Sequence, residues 1–497
     1  VSALNITSSY QVRIVNCSIN LNETVRIYRK ALAYLIGVVN ENWEAVKRID
    51  TGSLEQRRYI DKLVHGTKNH EARYPDFDKQ FYKYPCYLRR ATITAAIGAV
   101  SSYRSNLANW EMSDKKDKQP TLQVNRNELP TFFRDEMFLV DGAPERVKVV
   151  KNPKPKDELT AEEKKIEKAK RKAVELQNSQ NELTALSNHC TVRLKVYYKN
   201  DWVWATVTLR KTDIAYLRKY WMHACASAPM FEKRFGKYSL RFAFDENIKL
   251  SDAPIDKQRV CAVDLGLNTD AVCSIMTADG TILAREFINF PSDKDHLYHV
   301  LNRIKKFQRL HGSREAHNFW PYAKRVNNEL SKKIAAAIVE FAVLYSVDVI
   351  VFEHLDFKGK KASSKKQKIQ MWRKNGIQEY AEHKAHRCGI RISRICAWGT
   401  SKLAYDGSGE VSRAQNNHAL ATFKSSKQYN ADLNACYNIG ARYFIREIIK
   451  PMSKKAWSQC KAKVPDIERR TQCTLHSLRQ LHDFLSTSKE TQPEAAA

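Results

Sequence analysis

The sequence predicts a multidomain α+β protein, and three observations predict it. One alternating segment, "SSYQVRIVNC" (residues 8–17), stands apart from the other strand-like segments, with helical apolar spacing from about residue 22 to 118 between them. From residue 258 the pattern changes to buried strands interleaved with long helices, the signature of an α/β domain. Two of those strands, and one later helix start, carry a lone acid at their ends.

The elements follow in order. "ETVRIYRKALAYLIGVVNENWEAVKRI" keeps helical spacing, and "YPCYLRRATITAAIGAVSSYRSNLANWE" predicts a second long helix with Pro85 near its start. Aromatic and basic residues interleave along that helix, and Arg89 and Arg90 are its candidate phosphate contacts. Residues 119–257 turn β-rich: "TLQVNRNEL", "RVKVV", "CTVRLKVYY", "DWVWATVTL" and "YSLRFAFDENIKL" all read as strands. Between them "DELTAEEKKIEKAKRKAVELQNSQNEL" is a charged helix with a solvated face. The lone N-terminal strand implies that the helical block is inserted into this β-rich domain.

Beyond residue 258, "RVCAVDLGL" is a short buried strand and "AVCSIMTADGTILAREFINF" a hairpin turning at Asp279-Gly280. A helical segment runs from about 294 to 346, and "VDVIVFEHL" is another buried strand. Residues 358–374 hold eight Lys/Arg and no acid, so phosphates would neutralise this loop; Lys360, Lys361, Lys365 and Lys366 are its candidate nucleic-acid contacts. The strand "GIRISRICAW" precedes "NADLNACYNIGARYFIREI" (residues 430–448), read as an amphipathic helix with Asp432 in its first turn, well placed to cap it. Residues 449–497 are helical and basic.

Composition narrows the function. The 497 residues suffice for two to four domains, and 43% hydrophobic content supports real cores. Lys and Arg number 84 against 54 acids, a formal net charge of +30, which calls for a polyanionic partner such as nucleic acid. No apolar run has transmembrane length and no signal-peptide pattern opens the chain, so no membrane partner and a cytoplasmic location are expected. None of the eleven cysteines stands in a C-x-x-C pair, so reduced, mostly buried thiols are expected and zinc is not.

Asp264 and Glu353 end two strands, and Asp432 opens a helix. Acids beyond strand C-termini of an α/β sheet share one crevice. Three carboxylates brought together are tolerated chiefly around a divalent cation, and hard oxygen ligands select Mg²⁺ or Mn²⁺. Such ions activate water for phosphodiester hydrolysis. The order strand-Asp, hairpin, helix, strand-Glu, helix-Asp is that of a ribonuclease-H-like nuclease domain.

"VDLGLNTDAVCSI", "VIVFEHLDFKGK" and "YNADLNACYNIGARYF" resemble the three RuvC motifs of TnpB nucleases of IS605-type transposons and of the compact type V CRISPR effectors that share them. "YPCYLRRATITAAIGAVSSYRSNLANW" is similar to the helical recognition region of the same proteins. The resemblance covers most of residues 80–448. It implies a β-barrel-like wedge domain in two parts (1–24 and 119–257), a helical recognition domain (25–118), a RuvC-like nuclease domain (258–448) and a basic helical tail (449–497). Asp264, Glu353 and Asp432 match the family's metal-binding catalytic acids. It further implies a guide RNA of transposon or CRISPR origin, a double-stranded DNA target with a short flanking motif, and one chain per guide. The family's four-cysteine zinc ribbon is replaced here by "WGTSKLAYDGSGEVSRAQNNHALATFKSSKQYNADLN", a metal-free hairpin at about 400–430 with Gly407 and Gly409 in its turn.

The expected function is an RNA-guided DNA endonuclease that hydrolyses phosphodiesters with Mg²⁺ at one RuvC site. The alternatives are an RNA-guided DNA-binding protein without cleavage, and a guide-independent nuclease or transposase of the same fold. His383 and His386 lack further ligands nearby and read as surface residues.

Overall fold

A computed structural model describes residues 3–50, 52–113, 118–124, 128–132, 136–148, 160–234, 236–312, 319–354, 373–414 and 417–490. The protein is a mixed α+β, multidomain chain. It divides into two compact units, Thr7–Glu246 and Val1–Ile6 with Asn247–Ala497.

In the Thr7–Glu246 unit the strands are β1 (Ala3–Cys17), β2 (Phe138–Val140), β3 (Thr191–Tyr198), β4 (Asp201–Leu209), β5 (Cys225–Ala226), β6 (Met230–Arg234) and β7 (Lys237–Lys249). They form one sheet in the order β2-β3-β4-β1-β7-β5, with β6 also paired to β7. The N-terminal strand is therefore internal to the sheet. Among the described residues the chain leaves it for five helices, the longest being Asn22–Glu41 and Cys86–Glu111, before returning at β2. Leu32, Leu35, Leu88 and Ile93 of those helices share one core with Val192, Leu194, Val207 and Phe242 of the strands. Each such side chain contributes on the order of 1.5–3 kcal/mol by leaving water.

Two expected strands are absent among the described residues. Residues 121–124 and 128–129 of "TLQVNRNEL" lie between Pro120 and Pro130 without ladder pairing, although Leu122, Val124 and Leu129 still pack on the core. In "RVKVV", the Asn178 side chain captures both backbone groups of Val147 at 3.0 Å, which removes them from any sheet. The charged helix, Ala161–His189, starts with a Thr160/Glu163 capping box as a solvated helix should, but its second half buries Leu183, Ala185 and Leu186.

The other unit is built on a five-stranded sheet: β8 (Val260–Leu265), β9 (Ala271–Met276), β10 (Ile282–Ile288), β11 (Val349–His354) and β12 (Arg391–Cys396), in the order β10-β9-β8-β11-β12. β10, β9 and β8 run as an antiparallel meander turning at Gly280, whose φ is +80°. β8, β11 and β12 are parallel. Both faces are covered, which explains the uninterrupted apolar runs. Val260, Ala262, Val349 and Val351 face helix Ala431–Ile449. Cys261, Val263, Ile350 and Phe352 face helices Trp320–Leu344 and Lys374–Arg387.

The helical segment expected from about 294 to 346 holds, among the described residues, the helices Pro291–His311 and Trp320–Leu344, with residues 313–318 outside the described set. Helix Ala431–Ile449 is not amphipathic: every residue from Leu433 to Ile445 is buried. After β12 the chain forms a Leu403–Glu410 bridge with Gly407 and Gly409 at positive φ. A small sheet then follows from β13 (Ser412–Ala414), β14 (Asn417–Thr422) and β15 (Gln428–Asn430), which the sequence reading did not separate from the hairpin.

Candidate active site

Strand parity and register bring two acids together. Side chains alternate along a strand, so Asp264 shares the face of Val260 and Ala262, and Glu353 shares that of Val349 and Val351. Both face helix Ala431–Ile449. In the parallel β8/β11 pair Val263 stands opposite Phe352, so one step further along each strand Asp264 and Glu353 are neighbours. The third acid lies in the first turn of the helix packed on this face. Asn430, not Asp432, caps that helix, accepting from the Leu433 N–H at 2.8 Å. That corrects the capping role and leaves the Asp432 carboxylate unused by the helix end.

The helix is fastened directly beneath the acids. The Cys436 thiol, one turn after Asp432, donates to the Ala262 carbonyl at 3.0 Å, and Gly440 lets the backbone approach the sheet closely. A Cβ at Gly440 would meet Met276 Cε at 3.0 Å and Ala262 Cβ at 3.3 Å.

The electrostatics are those of like charges in partial burial. The pKa of Asp264 is raised well above the carboxylate range, first by burial, then by Glu353 and Asp432, while Arg413 opposes the shift. Burial also raises Glu353, against a hydrogen bond from Thr400 and the charge of Arg442. Asp432 is raised by burial and held down by Arg413. Asp264 is thus the acid that feels both others.

Among the described residues, no three His, Cys, Asp or Glu side chains stand together as a ready-made metal cluster. The donors themselves are all carboxylate oxygens, half-buried and mutually repelling. That chemistry fits a hard divalent cation, which binds through one or two carboxylates and keeps several waters. It does not fit zinc, which takes nitrogen and sulfur donors in structural sites.

Four residues near the acids escaped the sequence reading. Thr400, 2% exposed, donates its hydroxyl to Glu353. Asn438 and Arg442 hold the loop that carries Thr400. Arg413, on β13, donates to the Ser401 carbonyl at 3.1 Å and acts on both aspartates. The available signal was the run Asn434, Asn438, Arg442: polar residues one turn apart in a helix otherwise apolar, which must find internal partners if buried.

The candidate nucleic-acid residues fare differently. Arg89 is buried and donates to Asp61 at 2.8 Å, so it is an internal ion pair rather than an open phosphate contact. Arg90 is half-buried and the more exposed of the two, with its Nε 3.7 Å from Asp61 and its guanidinium over the Tyr87 ring. Lys360, Lys361, Lys365 and Lys366 lie outside the described residues. Only five of the eleven cysteines are buried, fewer than expected. His383 is exposed on helix Lys374–Arg387 and His386 half-buried. No helix among the described residues is long and apolar enough to cross a membrane.

In comparisons with known proteins, the Aq_aa04 family matches residues 8–151. No curated protein matches the chain in sequence. Several solved structures resemble it at low identity. One is Cas12f1 in a complex with sgRNA and target DNA, at 16% identity and TM-score 0.30, covering 87% of this chain and 98% of that one. The mini-RNA-guided endonuclease CRISPR-Cas_phi3 is similar at 12% identity and TM-score 0.48, over 88% and 92% of the two chains. CasPhi-2 bound to crRNA and phosphorothioate-DNA is similar at 10% identity and TM-score 0.45, over 89% and 92%.

Proposed function

We propose that the chain is an RNA-guided DNA endonuclease that hydrolyses phosphodiesters at a single ribonuclease-H-like, RuvC-type site formed by Asp264, Glu353 and Asp432. The observation that carries this reading is the register of β8 and β11, which sets Asp264 beside Glu353 on the face covered by the helix of Asp432. A net charge of +30 supports a nucleic-acid substrate. The three motif segments and their order supply the RNA-guided part of the reading. In this division of labour the guide RNA reads the target by base pairing, and the protein reads backbone shape and a short flanking motif. The β-rich Thr7–Glu246 unit with its helical excursion would serve as wedge and recognition domains.

Mg²⁺ or Mn²⁺, when bound, supplies an activated water and neutralises the leaving oxygen. Asp264, which feels both other acids, would hold the ion together with Glu353 and Asp432. Thr400 and Arg442 hold the Glu353 carboxylate toward its ionised form. Arg413 offers a cation beside Asp264 and Asp432, where it would meet a phosphate drawn to the site. The sheet and the buried helix fix these groups before the substrate arrives, which is what positioning requires.

The test is to express the chain with its native flanking locus, sequence the RNA that copurifies, and assay a DNA matching its variable end. Wild type is expected to cut in Mg²⁺. Asp264→Ala, Glu353→Gln and Asp432→Asn should each lose at least about 100-fold of cleavage, more than the 10–100-fold typical of an outer partner, with RNA and DNA binding retained. Guided binding without cleavage in wild type would make the chain a binder, and cutting without RNA would make it a protein-only nuclease.

A further inference from the structure

The loop between β12 and the small sheet is held with unusual thoroughness by one face of helix Ala431–Ile449. Asn434, Asn438 and Arg442 follow one another at four-residue spacing, one helical turn each, and all three are buried. Asn434 donates to the Leu403 carbonyl at 2.9 Å and accepts from the Tyr405 N–H at 2.8 Å. Asn438 donates to the Thr400 carbonyl at 3.0 Å and to Leu403 at 2.9 Å. The Arg442 donors go to the carbonyls of Cys396, Trp398, Thr471 and Cys473, between 2.7 and 3.1 Å. Gly399 closes the turn at φ +78°, where a Cβ would stand 3.1 Å from the Thr471 carbonyl. The backbone around Thr400 therefore has no room to drift.

The hydroxyl is a separate matter. Nothing in that bracing uses it, because Asn438 holds Thr400 by its carbonyl. Thr400 Oγ1 lies within donating distance of two acceptors, Glu353 Oε1 and the Ala397 carbonyl at 2.9 Å. It has one hydrogen. An ionised carboxylate is the stronger acceptor, by roughly a factor of two over a neutral one. Glu353 is further fixed from the other side through its backbone, whose carbonyl accepts from Gln378 at 3.0 Å.

We propose that Thr400 is a positioning residue that sets the orientation of the Glu353 carboxylate for cation binding, and that the Asn434–Asn438–Arg442 face holds it there. The helix that carries Asp432 thereby also places Glu353, so the second and third acids are held by one rigid element. The proposal rests on the reading of Glu353 as a metal-holding acid. A purely structural role for Thr400 would be met by any side chain that fills its space. The positioning role needs a donor.

The test compares Thr400→Ser, which keeps the donor, with Thr400→Val, which keeps the shape, in the full-length chain. Thr400→Ala is a second non-donating variant that sets no methyl against the carboxylate. Mn²⁺ affinity is measured on RNA-free protein by electron paramagnetic resonance of the free ion. The Mg²⁺ concentration for half-maximal cleavage is measured on the RNA-loaded protein, and melting midpoints are recorded alongside. Val and Ala should weaken Mn²⁺ binding by about 10–100-fold, the usual effect of losing an outer partner of a metal ligand, while Ser stays near wild type. The role is overturned if the non-donating variants bind Mn²⁺ like wild type, or if Ser is weakened as much as they are. Asp264→Ala is run in parallel. If it leaves Mn²⁺ binding and cleavage intact, the proposed active site itself falls. If it abolishes both while the Thr400 variants match wild type, only the positioning role falls.

Discussion

Asp264 is held in a state that opposes its own ionisation. Burial comes first among the causes, then the two neighbouring carboxylates. Its folded pKa lies above the unfolded value of about 4, so the folded chain takes up a proton there. The stability associated with that proton is present below about pH 4 and is lost as pH rises through the raised folded value. Asp264→Asn should remove this loss. The metal-free variant is expected to melt above wild type at neutral pH, by about 2–4 °C for each kcal/mol of repulsion relieved, with the difference vanishing near pH 4. Melting curves from pH 4 to 8 check it, and an unchanged or lower midpoint at pH 7 would count against the clustered carboxylates. Because ligands must lose their protons, the Mg²⁺ requirement for cleavage should also fall as pH rises over this range. At this scale the acids were legible in the sequence, since a lone acid closing an apolar strand is a local pattern. Thr400 and Arg413 were not, because their relation to the acids crosses from one segment to another and leaves no local trace.

Among the elements, helix Ala431–Ile449 and helix Cys86–Glu111 show how packing reassigns a residue. Gly440 sits where the first of these meets β8 and β9, and the atoms a Cβ would touch include the flexible end of Met276. Gly440→Ala should therefore cost only about 1 kcal/mol, whereas Gly440→Val, which cannot be relieved by one thioether, should cost about 3 kcal/mol and weaken cleavage with it. Denaturant midpoints and cleavage rates together check this, and a neutral Gly440→Val would refute the close approach. In the second helix, Arg89 pairs with Asp61 inside the fold. Arg89→Ala should destabilise by about 3 kcal/mol, the low end for breaking a buried pair because Arg90 remains near Asp61. Arg90→Ala should leave stability unchanged and weaken nucleic-acid binding; equal melting of the two variants would overturn the assignment. The small sheet of β13–β15 has its own core, Ala404, Ala421, Phe423 and Ala431, with Tyr405 packed edge-on against Phe423, Tyr429 and Tyr437. An aromatic cluster of this kind stabilises β13–β15 by edge-to-face packing and burial.

For the whole molecule, +30 on one chain would make the proposed binding to nucleic acid strongly dependent on salt. The affinity for guide RNA is expected to fall by about 10³-fold or more between 50 and 200 mM monovalent salt, as for proteins making 6–10 phosphate contacts. Filter-binding titrations at several salt concentrations would check this, and a flat dependence would remove the polyanion as the reason for the charge. The sequence by itself determined the charge, the apolar strand runs of the α/β part, the Asp279-Gly280 turn and the positions of three acids at element ends. Each of these is local: a period, a count, or a residue at an element's end. Only the tertiary structure decided which residues became internal partners. It pulled Arg89 inward to Asp61, gave the backbone groups of Val147 to Asn178, and closed Thr400 over Glu353. A polar group takes the partner that burial leaves within about 3 Å, and which group that is depends on chain segments tens to hundreds of residues away.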